Sequence, residues 1–121
     1  MTAIVQIFGH KKCRGTQAAE RFFSERRVKV QLIDVREKGI SPGELASVVR
    51  AVGLAALYDG QGTRARERGL QHAGPDSARI TALLLEDPQL LRTPVVRWGS
   101  KATAGEAQTV WRTWLASETS G

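Results

Sequence analysis

Apolar and polar positions along the chain switch between two periods, and the switches mark the elements. The short apolar run of residues 4–8, IVQIF, predicts a strand. From Gln17 to Arg26, Ala18, Ala19, Phe22 and Phe23 recur at helical spacing with Glu20, Arg21, Glu25 and Arg26 opposite, so an amphipathic helix opening around Thr16 follows. Residues 28–35, VKVQLIDV, alternate and then turn continuously apolar, as a half-covered strand does. A strand, helix, strand order with so short a connection implies a parallel pair.

The second half is punctuated by caps. Ser41-Pro42-Gly43-Glu44 combines an N-cap, a proline at the first helical position and a glutamate three residues on, so a helix starts there, buries Leu45, Val48, Val49 and Val52, and stops at Gly53. A short helical piece over 54–58 follows. Residues 59–74, rich in glycine, arginine and polar side chains, read as a loop with a turn or two of helix. Asp76 or Ser77 caps a helix carrying Ile80, Leu83, Leu84 and Leu85, which Asp87-Pro88 ends. Pro94 opens a strand over 94–98, Gly99-Ser100 reads as a hairpin turn, and a weak strand near 101–104 pairs back. A last helix from about Glu106 to Ser117 buries Val110, Trp111, Trp114 and Leu115, and residues 118–121 form a polar end. The economical solution is a four-stranded mixed α/β sheet flanked by helices, with a helical insert at about 41–91 between strands two and three.

The 121 residues suffice for a single domain, 1–121, closed around one core without metal or disulfide staples. One cysteine makes no internal bridge, and no long apolar run or signal peptide is visible, so a soluble cytoplasmic protein with no membrane role is expected. The formal charge of +6 and pI near 10.2 suit an anionic partner. The arginines fall in separate segments with no aromatic interleaving, which argues against direct nucleic-acid binding. No ligand spacing for a metal exists, and Gly60-Gln61-Gly62 is too short and wrongly placed for a phosphate loop. Trp98, Trp111 and Trp114 read as packing residues, and His72 as a surface residue.

The chemistry concentrates on Cys13. A thiol where a strand gives way to a helix meets unpaired N–H groups and the positive end of the helix dipole, and Lys11, Lys12 and Arg14 add charge of the same sign. Position and charge favour a reactive thiolate over the other reading, a small buried apolar filler. His10, three residues earlier, is a candidate base that a stabilised thiolate does not need. Thr16 either caps the helix or donates to a bound anion or the thiolate.

Cys13 after the first strand and Pro94 opening the third resemble the thioredoxin fold. The stretches Phe8-Gly9-His10-Lys11-Lys12-Cys13, Asp34-Val35-Arg36, Gly62-Thr63 and residues 85–96, LEDPQLLRTPVV, narrow this to a family. Over nearly the whole chain it resembles the glutaredoxin-linked arsenate reductases (ArsC), a family that also contains the Spx transcriptional regulators. The resemblance implies Cys13 as nucleophile, a cis Pro94 beside it, Thr93 and Pro94 receiving the thiol partner, and glutathione as co-substrate with no tightly bound cofactor. It implies glutathione or glutaredoxin as redox partners of a monomer, or RNA polymerase as partner of a non-enzymatic regulator, the alternative being a binding protein that has lost catalysis. The Spx-type second cysteine is Thr16 here, so an internal C-x-x-C switch is impossible. The family's arginine clamp is also incomplete: the arginine expected before the proline is Thr93, another is Gln61, and 104–107 offers none. Lys11, Lys12, Arg14, Thr16, Arg64 and Arg92 are the remaining oxyanion candidates, with Arg66 a further cation of the insert. Since a strand alternates its side chains, Arg92 would point away from where Thr93 points, unless the loop bends.

Overall fold

The computed structural model describes residues 4–119 and has a thioredoxin-like fold. Its centre is β1, Val5–Gly9, where alternation sends Val5 and Ile7 to one face of the sheet and Phe8 to the other. β1 pairs in parallel with β2, Val30–Asp34, and antiparallel with β3, Val95–Trp98, which pairs antiparallel with β4, Lys101–Ala104. The order is therefore β2-β1-β3-β4, a mixed four-stranded sheet. Gly99-Ser100 forms the two-residue turn of the β3–β4 hairpin.

One face is covered by α1, Arg14–Glu25, and α7, Gln108–Thr119. Phe22 and Phe23 meet Trp98 and Trp111 with ring centroids 5.4–6.0 Å apart, and Trp98 meets Trp114 at 6.4 Å. Each such pair contributes about 0.5–1.5 kcal/mol beyond simple burial. The indole N–H of Trp111 donates to Thr103 Oγ1 at 2.9 Å, so no polar atom of that ring is left unsatisfied. All three tryptophans are core residues. Val110, expected to be buried with them, is 41 % exposed, in the first turn of α7.

The other face carries the insert: α2, Val35–Lys38; α3, Pro42–Val52; α4, Leu54–Leu57; α5, Thr63–Glu67; α6, Ser77–Glu86; and a 3₁₀ turn, Pro88–Leu90. Val48, Leu57, Leu83, Leu84 and Leu90 pack there against Phe8 and Val95. The capping box at the start of α3 forms in both directions, Glu44 N–H to Ser41 Oγ and Ser41 N–H to Glu44 Oε1. Asp76 caps α6 as expected. Val35 departs from expectation: the second strand ends at Asp34, whose carboxylate accepts the Arg36 N–H and starts α2, so Val35 is buried as a helical residue. The polar end expected at 118–121 is helical through Thr119, and its last two residues lie outside the described part, as do residues 1–3.

Two backbone bonds tie the end of α4 to the segment that leads into β3, Arg92 N–H to Leu57 O and Asp59 N–H to Leu90 O. Among the described residues, no helix is long and apolar enough to cross a membrane.

α1 ends in a Schellman motif: Val28 N–H donates to Phe23 O and Arg27 N–H to Ser24 O. Arg27 occupies its left-handed position at φ 62°, where a Cβ is unfavourable. Arg27→Gly is expected to raise the unfolding free energy by about 1 kcal/mol in urea titrations. A loss of stability would contradict that origin.

Candidate active site

The loop 10–12 brings the chain from β1 into α1, and Cys13 is the N-cap of that helix, with extended backbone at φ −83° and ψ 118°. The helix thus opens at Arg14, two residues earlier than the patterning places it, and Thr16 lies inside its first turn rather than capping it. The turn is closed by Cys13 N–H to His10 O and Gln17 N–H to Cys13 O, with the Gln17 amide also donating to Lys11 O. No acidic side chain occupies the first turn, so nothing there offsets the positive end of the dipole.

Two glycines set how close the surrounding pieces approach. A Cβ on Gly15 would stand 2.8 Å from Pro94 Cδ, so only glycine lets the start of α1 sit against that proline. A Cβ on Gly9 would strike the Thr16 side chain, which is buried against the end of β1. The Thr93–Pro94 peptide is cis, as the family resemblance implies. The Thr93 side chain lies over the sulfur, with Cys13 Sγ 3.3 Å from Thr93 Oγ1 and 4.0 Å from Thr93 O.

Cys13 is half-buried. Burial alone pushes its thiol up, but the hydroxyls of Thr16 and Thr93 and the backbone N–H groups of Thr16 and Gly15 outweigh it, and the net pKa is lowered. Those amides belong to the second and third residues of α1, the donors an N-cap oxygen would take. As a neutral thiol Cys13 makes no capping bond, so the amides act on the thiolate. The Thr16 hydroxyl is buried with no other partner among the described residues. Ionisation is thus favoured by short-range hydrogen bonds rather than by the neighbouring cations, which corrects the emphasis on Lys11, Lys12 and Arg14. All three are exposed.

Beside the sulfur lies a cleft of about 520 Å³, lined by His10, Lys12 and Thr93 on one side and Asp59, Arg64 and Glu67 on the other. The His10 pKa is lowered by burial and by the Arg36 charge, which favours its neutral imidazole. Arg64 is held at the rim: its Nε donates to Asp87 Oδ2 at 2.6 Å, and its Nη1 stands 3.6 Å from Glu67. The Asp87 carboxylate, 8 % exposed, also binds Arg68 at 3.2 Å. Among the candidates, the fold therefore brings Lys12, Thr93 and Arg64 to one cleft. Arg92 is not among them: its guanidinium turns to Ala56 O, Tyr58 O and Asp59 Oδ1, fastening the end of α4. Both residues precede β3: the bond from Arg92 N–H to Leu57 O sets Arg92 beside the end of α4, while Thr93 takes the sulfur side. Arg14 and Lys11 face solvent, Arg66 is exposed, and Gln61 donates to Gln71 O.

Asp87 and Arg68 were not legible as site residues, Asp87 reading only as a helix stop. The signal was Arg64 and Arg68, four apart in a helical stretch and hence on one face. Among the described residues, no group of three or more His, Cys, Asp or Glu side chains could hold a metal.

A strand, a cysteine capping the following helix and a cis-proline beside it, within this sheet order, define the class of thioredoxin-fold thiol proteins. The ArsC family model matches residues 8–114, and the chain belongs to the ArsC family. The fold is similar to that of a protein designated YffB (TM-score 0.80, 23 % identity, 90 % of this chain and 96 % of that one). It is also similar to an arsenate reductase from Vibrio cholerae (0.74, 20 %, 86 % and 91 %). A third similar structure is an arsenate reductase (ArsC) related protein from Brucella melitensis (0.68, 20 %, 95 % and 95 %). No curated protein matches.

Alkylation of Cys13 by iodoacetamide is expected to reach half its maximal rate at a higher pH in Thr93→Val and in Thr16→Val than in the unaltered protein. An unmoved profile in both would show that the hydroxyls do not favour the thiolate. The sign for stability follows from the lowered folded-state pKa: ionised Cys13 favours the fold above the unfolded thiol's pKa, and this is lost as pH falls through the folded value. The urea stability of the reduced protein relative to Cys13→Ser should rise between neutral pH and about pH 9. Gly15→Ala should destabilise by about 1–3 kcal/mol through overpacking on Pro94, and a neutral result would remove that contact from the account.

Proposed function

We propose that this protein is an arsenate-reductase-like thiol oxidoreductase in which Cys13 is the sole nucleophile, glutathione the thiol co-substrate and glutaredoxin the protein that restores the thiol. One observation carries the reading: a half-buried sulfur at the start of α1, 3.3 Å from the Thr93 hydroxyl and beside cis Pro94, with its ionised form favoured. A thiolate so held is a nucleophile at neutral pH without a general base. His10 is free of that task.

In the cycle, the Cys13 thiolate attacks arsenic(V) and displaces hydroxide, forming a sulfur–arsenic bond. Glutathione condenses on the same arsenic with loss of water. The two sulfurs then join as a Cys13–glutathione disulfide, and the two electrons released reduce arsenic(V) to arsenic(III), which leaves as arsenite. Glutaredoxin removes the glutathionyl group, with glutathione supplying the electrons. In this chain Thr16 and Thr93 hold the negative charge on Cys13 at the start and whenever its sulfur is the leaving group. Lys12 and Arg64 are the cations that face the oxyanion in the cleft.

The clamp is weak by chemistry as well as by number. Arg64 already shares its charge with Asp87 and Glu67, so it offers a dianion less than a free guanidinium does. In an assay coupling glutathione, glutaredoxin and glutathione reductase, arsenate should drive NADPH oxidation with a KM above about 1 mM, the upper end of the usual range. Cys13→Ser should abolish it. No arsenate-dependent rate, or one that survives in Cys13→Ser, would overturn the proposal.

A further inference from the structure

Asp87 governs a charge that is not its own. Its Oδ2 takes Arg64 Nε–H at 2.6 Å and Arg68 Nη1 at 3.2 Å, while Arg68 Nη2 reaches Glu86 at 3.0 Å and Arg64 Nη1 stands 3.6 Å from Glu67. Three carboxylates thus enclose two guanidiniums in one run from the end of α6 to the cleft. They do not act equally. Glu67 and Glu86 are exposed, so solvent screens them, whereas Asp87 is buried. Its other oxygen accepts the Gln89 N–H at 3.3 Å, which anchors the carboxylate so that it cannot swing out with Arg64.

Arg64 is therefore aligned at the rim with its Nε–H engaged and its Nη edge shared with Glu67. The Asp87 bond is the main cause that raises the Arg64 pKa, ahead of Glu67. Across the cleft, Asp59 is balanced by Arg92 at 3.4 Å. Among the described residues Lys12 pairs with no carboxylate. One uncompensated cation faces a ligand there. A second negative charge on that ligand would meet Asp59 and Glu67 instead of a free guanidinium.

We infer that Asp87 determines which oxyanions the cleft admits: by holding Arg64 at the rim and balancing its charge, it makes the cleft take a singly charged tetrahedral oxyanion as readily as a doubly charged one. Asp87 is a positioning residue, touching Arg64 and not the substrate. The inference deepens the proposed function and rests on it for the step after binding, in which arsenate would enter as its monoanion.

The test reads binding in the reduced protein at fixed pH and ionic strength. Saturable NMR shifts of the Lys12, Thr63 and Thr93 backbone amides report sulfate, a dianion, and methanesulfonate, a monoanion of similar shape. In the unaltered protein the two affinities should agree within about threefold. Asp87→Asn, which keeps an oxygen for the Gln89 N–H, should tighten sulfate about tenfold and methanesulfonate about threefold, since the dianion gains twice the free energy. Glu67→Gln, at an exposed position, should tighten sulfate about threefold and decides the matter should Asp87→Asn fail to fold, which a changed Trp111 indole signal would reveal. Glu20→Gln, on the exposed side of α1, removes the same formal charge and should move neither ion. A larger sulfate preference in the unaltered protein, no saturable shift by either ion, no sulfate gain in the folded variants, or an equal gain in Glu20→Gln would overturn the role of Asp87. The redox reading fails separately: these titrations without an arsenate-dependent rate would remove the reduction and leave the selection standing, and a Cys13-dependent rate with unmoved titrations would remove the selection alone.

Discussion

The contact between Pro94 and Gly15 is the constraint on which the functional end of this molecule depends. It brings the start of β3 against the first turn of α1 with no side chain between them, and so lays the Thr93 hydroxyl on Cys13 Sγ. The sheet supports this from below, since Phe8 of β1 lies opposite Val95 of β3. The two loops that meet at the sulfur therefore leave adjacent strands at the same level. Thr16, buried against Gly9, completes the arrangement from the helix side. What stabilises the thiolate is a small set of fixed donors, each held by backbone packing.

The insert serves the other side. Its hydrophobic face seals the sheet through Leu57, Leu83, Leu84 and Leu90, while its polar connections reach toward Cys13. Asp87 is the link between these tasks: one oxygen caps the 3₁₀ turn at Gln89, and the other gathers Arg64 and Arg68 from α5 and the residue following it. A buried carboxylate with two arginines is tolerable only because both its oxygens are engaged. Its consequence is that Arg64, the arginine that lines the cleft, arrives partly neutralised, which separates this chain from a site built purely to hold an oxyanion.

Much of the fold was legible because its local signals agreed with one another. The capping box at Ser41 and the caps at Asp76 and Asp87-Pro88 act within a few residues, and the structure forms them where the patterning places them. The misplaced elements are those decided by tertiary context. Val35 has the side chain of a strand residue, but the Asp34 carboxylate accepts the Arg36 N–H and turns the chain. Val110 has the side chain of a core residue, but the start of α7 faces it outward. At the site, Cys13 was legible from its place between strand and helix, whereas the source of its ionisation was not. Charge near in sequence suggested the lysines, and the hydroxyls that act come from one turn along the helix and from the segment before β3, eighty residues away. The ion cluster on Asp87 was hidden for the same reason, its members being spread over α5, α6 and the turn after it.

The chemistry depends on a Cys13 sulfur whose ionised form is favoured by hydrogen bonds from its own fold. Titrating the reduced native protein while following thiolate absorbance in the ultraviolet measures this directly. The midpoint should fall below about 8.5, the value of an unperturbed thiol, and return to it when the protein is unfolded in urea. A native midpoint at or above the unfolded one would contradict the account.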